Sequence, residues 1–451
     1  MTKETKPSIS SVRFSELEGS RRLDAEYYQP HYLAAAEKLQ RCGRVGEIIE
    51  CALHPAEIKR EYSETGLQLL LAQNVRRNYL DFSTTVFLPE TVADLLRKNR
   101  LHPGDVVVVR TGANAGDTSC YDGEPERLYA SAHLILVRPK GIEGAYLSTY
   151  FNTEIGRQLI KRGVYGSSQP EIAPAYVETL PVPRSDTVER EVVELVNQAR
   201  EAERKSKCLY RQAEQLFLDE SGLSDQDLSD DLWNDAKLTA VLGKSRLDAE
   251  HYQAKYHQLE TAIVLYGSST IGELLEGPPV KGQQQDGEPY QDGYAPYVSI
   301  KDIYDYALVP NQYISLGGAP PACAQPNDLL LALTGATLGK VGINFDIPAL
   351  YYSGDLLRLR FKGIDPLYIA AFLRSPIGQD LIWRYQTGST NRHLAPDDVV
   401  KIPVPRLQPT QEGAIANQVR ESYATRVKCT QILEQAKRKV EAMIESEAVH
   451  G

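Results

Sequence analysis

Arg22-Leu23-Asp24-Ala25-Glu26-Tyr27-Tyr28-Gln29 returns 224 positions later as Arg246-Leu247-Asp248-Ala249-Glu250-His251-Tyr252-Gln253. Working outward from that pair, Asp105 followed by VVVVRTGANAG matches Asp328 followed by LLLALTGATLG, with Thr111 meeting Thr334 at an offset of 223. Gly141-Ile142-Glu143 matches Gly363-Ile364-Asp365 at an offset of 222. The same offset pairs Tyr146 with Tyr368, Gly156 with Gly378, Gly166-Ser167 with Gly388-Ser389, and LPVPR (180–184) with IPVPR (402–406). Small insertions separate the copies, but the order of matches holds across about 160 residues, which chance does not supply. The chain contains one domain written twice.

Each copy reads as mixed α/β with many short strands. Asp105–Arg110 and Asp328–Leu333 are apolar runs between turn signals, as buried strands are. Tyr146–Gly163 and Tyr368–Tyr385 carry apolar residues at helical spacing. The P-x-P pairs at 181–183 and 403–405 fit neither a helix interior nor a central strand, and read as extended exits from the domain.

After each exit the pattern changes. Positions 188, 192, 195, 199, 202, 206, 209, 213 and 216 alternate steps of four and three, with Val192, Leu195, Leu209 and Leu216 among them. The spacing recurs from 415 to 443, through Ile415, Val419, Leu433 and Val440. A heptad seam of some thirty residues, present twice, predicts two long helices that pair with each other. Packing of each helix on its own domain is the other reading. The order domain–helix–domain–helix makes the pair antiparallel, and at ~1.5 Å per residue such a bar is about 45 Å long. The expected fold class is therefore α+β, with two pseudo-twofold-related mixed α/β domains joined by two long antiparallel coiled-coil helices. The expected boundaries are a tail at 1–20, a first domain at 21–184, a helix at 185–220, an acidic linker at 221–243, a second domain at 244–406, a helix at 407–446 and a tail at 447–451.

The 451 residues are 42% hydrophobic and 24% charged, which excludes collagen-like and wholly disordered chains. The longest apolar runs, such as Leu329–Leu333, are too short to span a bilayer, and MTKETKPSISS lacks the apolar core of a secretory signal. Six cysteines without a CxxC pair fit free thiols in a reducing compartment. A net charge of −10 argues at first against nucleic acid. Residues 218–237, however, hold seven acids and one base, so most of that excess lies in this one stretch at the helix end and linker.

No phosphate-binding G-x-x-x-x-G-K-[ST] loop, H-E-x-x-H or (N/D)-P-P-(aromatic) motif occurs, and the eight histidines lack metal-ligand spacing. No catalytic residue and no metal site is expected. What recurs is polar and glycine-rich. Arg110, Thr111 and Asn114 lie in one such loop, and Thr334, Thr337 and Lys340 in its counterpart. The glycines allow either a tight turn or close approach of backbone to a phosphate. A second loop pair is Ser167-Ser168-Gln169 against Ser389-Thr390-Asn391-Arg392-His393. Such side chains read base edges and grip phosphates, or the Gly-Ser step only caps a helix. Gln73, Asn74, Arg76, Arg77 and Asn78 occupy roughly the place of Lys301 in the second copy. Their arginines suit guanine and phosphate, or a solvated face. The Arg-Leu-Asp-Ala-Glu stretch reads as structural, since it does not vary between copies whose readers should differ.

This doubled layout, with its R-T-G-A-N-A-G and L-T-G-A-T-L-G strand ends, Gly-Ser loops and exits into long helices, resembles the specificity subunit of type I restriction-modification systems. The resemblance covers about Arg21 to Met443. It implies two target-recognition domains, each reading half of a split site in double-stranded DNA, and helices acting as a ruler over roughly a dozen base pairs. It implies two modification subunits docked on the helices and a motor-nuclease restriction subunit. S-adenosylmethionine, ATP and magnesium would belong to those partners, with no cofactor in this chain, and the setting would be prokaryotic cytoplasm. Open alternatives are a coiled-coil adaptor for two protein or RNA partners, a specificity unit of a methylation-only defence system, and an enzyme with unfamiliar motifs.

Overall fold

The computed structural model describes residues 9–14, 17, 22–59, 61–82, 84–112, 114–166, 170–223, 235, 237–239, 241, 246–317, 322–388 and 391–450. They fall into two compact units, residues 1–202 with 428–451, and residues 203–427. Among them no helix is long and apolar enough to cross a membrane.

In the first unit the central sheet runs Ile49–Leu53, Leu134–Pro139, Val106–Val109, Thr118–Cys120, every neighbour antiparallel. Val106 and Val108 face one apolar core while Val107 and Val109 face another. A strand buried on both faces has no use for alternation, which is why four valines stand in a row. In the second unit the matching strands run Val280–Lys281, Leu356–Leu359, Leu329–Ala332, Val341–Ile343. There Leu329 and Leu331 face one core, and Leu330 and Ala332 the other. The exits pair as two-stranded ribbons, Pro181–Val182 with Gly43–Arg44 and Pro403–Pro405 with Ser268–Thr270.

The shared frame extends to single side chains. Asp105 takes two hydrogen bonds from Arg138 (3.0 and 2.9 Å), and Asp328 takes two from Arg360 (2.8 and 2.6 Å). The Tyr146 hydroxyl donates to the Pro183 carbonyl and that of Tyr368 to the Pro405 carbonyl, each at 2.7 Å. Arg184 pairs with Glu189 and Arg406 with Glu412, joining each exit to the first turn of its long helix.

Each helix expected after Gly141 and Gly363 is two helices, Gly144–Phe151 with Glu154–Arg162, and Pro366–Arg374 with Pro376–Arg384. The hydroxyls of Thr153 and Ser375 accept from Gly156 N and Gly378 N, starting a new helix with a side-chain cap. Those glycines sit against the turn before, where a Cβ would stand 2.1 Å from the Tyr150 or Phe372 carbonyl oxygen.

The long helices span Asp186–Ser221 and Pro409–His450. Of the seam residues, Val192, Ile415, Val419 and Val440 are buried, and Leu195, Leu216 and Leu433 pack partly buried against the cores. Leu209 is half-buried, and the next residue, Tyr210, is buried in the core. Val196 and Phe217 are likewise buried one place beyond Leu195 and Leu216. Val192 and Val196 pack in one core and Tyr210, Ala213 and Phe217 in another, so the apolar arc of the first helix is wider than a two-position seam. Tyr210 stacks on Tyr306 with ring centroids 4.6 Å apart, and Phe217 lies against Tyr368 and Phe372.

Candidate nucleic-acid interface

The glycine-rich loop and the Gly-Ser loop, some fifty residues apart in sequence, meet in both copies. In the first, Thr111 bridges Glu171, Gly112 N donates to Pro170 O (3.0 Å) and Ile172 N to Arg110 O (3.0 Å). In the second, Thr334 bridges His393, Gly335 N donates to Arg392 O (3.1 Å) and Leu394 N to Leu333 O (2.9 Å). Gly112 and Gly335 hold φ of 90° and 75°, and among the described residues no heavy atom lies within 4 Å of where a Cβ would stand. The turn needs glycine for its backbone, and its outer side is open.

The root of each two-loop surface is clamped by the recurrent octapeptide. Arg22 binds Asp24 and donates to the carbonyls of Gly163 and Val164. Arg246 binds Asp248 and donates to those of Tyr385 and Gln386. These carbonyls end the helices Glu154–Arg162 and Pro376–Arg384, where helix acceptors lack partners of their own.

Side chains expected to read DNA divide into outward and committed ones. Gln73, Arg77 and Asn114 are exposed in the first copy, and Lys301, Thr337, Asn391 and Arg392 in the second. Arg76, Lys340 and His393 are half-buried. Asn74 is a correction: fully buried, it accepts from Leu71 N (2.9 Å) and donates to Thr84 (2.9 Å). Asp302 occupies the same place, accepting from Ser299 N, so Gln73 rather than Asn74 corresponds to Lys301. Four more are engaged within the chain. Asn78 accepts from Ser148 and Asn152, Arg110 binds Glu171 and Ala132 O, Thr111 contacts His133 Nδ1 at 3.0 Å, and Thr334 donates to Asp355 at 2.9 Å. Ser167, Ser168, Gln169, Ser389 and Thr390 lie outside the described residues.

The helices leading into the Gly-Ser loops carry a signal that motif reading missed. Ile155, Gly156, Leu159, Ile160 and Arg162 recur unchanged as Ile377, Gly378, Leu381, Ile382 and Arg384. Between them, Glu154, Arg157, Gln158 and Lys161 become Pro376, Gln379, Asp380 and Trp383. The recurring residues serve the core, the glycine contact and the turn below, while the substituted ones are exposed or half-buried. In the first copy Asp117 holds both Arg157 (3.0 Å) and the exposed Arg77 (3.3 Å). Lys161 lies beside them, its ammonium held below the ordinary lysine range by burial first and then by Arg157 and Arg77. In the second copy Lys340 stands where Asp117 does, and Arg392 lies 4.4 Å over the Trp383 ring. The first copy thus gathers Arg77, Arg157 and Lys161 about Asp117, and the second has Lys340 at that sequence position and Arg392 on Trp383. Among the described residues no group of three or more His, Cys, Asp or Glu is placed to hold a metal.

The chain is similar to S subunits of type I restriction-modification systems. The S subunit from M. genitalium matches with a TM-score of 0.39 and 11% identity over 90% of this chain and 95% of that one. The HsdS subunit from Thermoanaerobacter tengcongensis matches with a TM-score of 0.28 and 15% identity over 90% and 95%. A chain of a type I R-M system, from work on its complex assembly and conformational transition, matches with a TM-score of 0.29 and 14% identity over 90% and 96%. No protein-family model and no curated protein matches the sequence.

Proposed function

We propose that this chain is the non-catalytic DNA-recognition subunit of a type I restriction-modification complex. Each domain reads one half of a gapped site, and the long helices, paired antiparallel, set the gap and carry two modification subunits. The observation behind this reading is the division on the loop-bearing helices: every core-facing residue recurs, and all four outward ones differ. Two copies under the same folding constraint but different targets diverge in that way, because base readout is set by surface side chains while the frame is not.

Cations at those surfaces supply the phosphate contacts that orient a protein on the duplex, and amide and arginine side chains supply base contacts. Methylation, ATP use and cleavage belong to the partner subunits, with S-adenosylmethionine, ATP and magnesium bound there. Methylation-sensitive genome sequencing with and without the gene tests the reading. The expected result is loss of one gapped methylated motif; an unchanged methylome would refute it.

A further inference from the structure

The recurrent octapeptide keeps more than its clamp needs. Arg22 and Asp24, with Arg246 and Asp248, are occupied in holding the helix end. Tyr27 and Tyr28 are buried, and even here the second copy has drifted, with His251 in place of Tyr27. The outward residues have not drifted. Leu23 and Leu247 are 80% and 87% exposed, and Ala25, Glu26, Ala249 and Glu250 are exposed as well. On the loop-bearing helices outward positions changed freely between the copies, so solvent alone does not explain an unchanged leucine, alanine and glutamate. A leucine facing water is also the less favourable choice at a position that none of the described residues covers.

We propose that the Leu23–Glu26 and Leu247–Glu250 turns are two equivalent docking sites for one partner protein that binds twice, and that this partner is the modification subunit. The assignment rests on the function proposed above. Two identical surfaces on two divergent domains suit two copies of one protein, whereas DNA would meet different sequences at the two ends. The chemistry points the same way: an apolar side chain beside an acid, with the nearby arginine turned inward, repels phosphate. It fits an apolar socket flanked by a basic group. The Arg–Asp pair makes the turn rigid, so little ordering entropy is lost on docking.

The test is native mass spectrometry of the full chain co-expressed with its modification subunit. Wild type should carry two copies, Leu23→Asp one, Leu247→Asp one, and the double variant none, all with the thermal midpoint of the wild-type chain. Two copies retained on the double variant overturn the proposal. So does loss of a second copy of this chain in place of the modification subunit. If the aspartates lower the midpoint, the paired reversal Glu26→Lys and Glu250→Lys decides, and retention of both copies there overturns it. A wild-type chain that carries no modification subunit overturns the proposed function itself, and this inference with it.

Discussion

Ser206 and Ser422 each donate a hydrogen bond to the other's backbone carbonyl, at 2.9 and 2.7 Å, with the two hydroxyl oxygens 3.1 Å apart. Both are buried, and the Tyr306 hydroxyl reaches Ser422 Oγ at 2.7 Å. Each of the three hydroxyl protons thus has an acceptor, with Tyr306 donating. This node ties two helix segments of the second unit to its globular part.

Replacing both serines by alanine removes the cross-bonds and strands the Tyr306 hydroxyl in the core. The expected loss is about 2–3 kcal/mol, since an unsatisfied buried group costs about 1–3 kcal/mol. Adding Tyr306→Phe should return part of it, because the stranded group is gone. Urea unfolding of the series measures this, and a triple variant weaker than the double by the full cost of Tyr306→Phe alone would refute the coupling.

At the first domain, Lys161 and Arg77 should separate. Lys161→Ala should weaken DNA binding about equally for all sequences and lower the log–log salt slope by about one. Because its ammonium is held below the ordinary range by burial and by Arg157 and Arg77, it loses its proton before other lysines as pH rises. Affinity should therefore fall early in the alkaline range and be restored by Lys161→Arg. Arg77→Ala should cost ~1–3 kcal/mol and relax one position of one half-site. Fluorescence titrations across salt, pH and single-base variants distinguish these outcomes.

The two Asp–Arg pairs offer a test of the common frame. Asp105 and Asp328 are each 1% exposed, and each also accepts a backbone N–H, from His102 and Gln325. Removing one partner of a buried pair strands a charge, so Asp105→Ala and Asp328→Ala should each destabilise by about 3 kcal/mol. Limited proteolysis should show early cleavage confined to the unit that carries the change.

Glu214 provides a signed pH dependence. Burial pushes its carboxyl above the ordinary range, with Asp305 adding to the effect and Arg374 opposing it. A raised value in the folded state means full stability below the ordinary carboxylate range and loss as pH rises through the raised one. Glu214→Gln imitates the protonated form. Its thermal midpoint should match wild type in acid and exceed it at neutral pH; equal midpoints at both would remove the effect.

The duplication, the doubly buried valine strand and the long helices were all legible because each is a local pattern. The seam held at Val192, Ala199, Ser206 and Ala213, while beside Leu195, Leu209 and Leu216 the next residue is the more buried. At two of these places the reason is that Tyr210 and Phe217 answer to Tyr306, Tyr368 and Phe372, residues that helical spacing cannot see. Asn74 read as a base contact because an amide in a turn looks the same whether it faces water or caps Leu71 N. Arg157, Lys161 and Trp383 were missed for a different reason. Alone they are an ordinary solvated helix face, and only their comparison between copies sets them apart.

The arginine clamp at Gly163–Val164 and Tyr385–Gln386 grips main-chain carbonyls, which every residue type supplies alike. Any sequence can be written beyond such an anchor without the anchor noticing. Under the proposed function, a lineage that carries this chain could rewrite an address by point change, or exchange it whole by recombination, in one generation. The old fold survives the edit, so new targets need not wait for compensating mutations elsewhere.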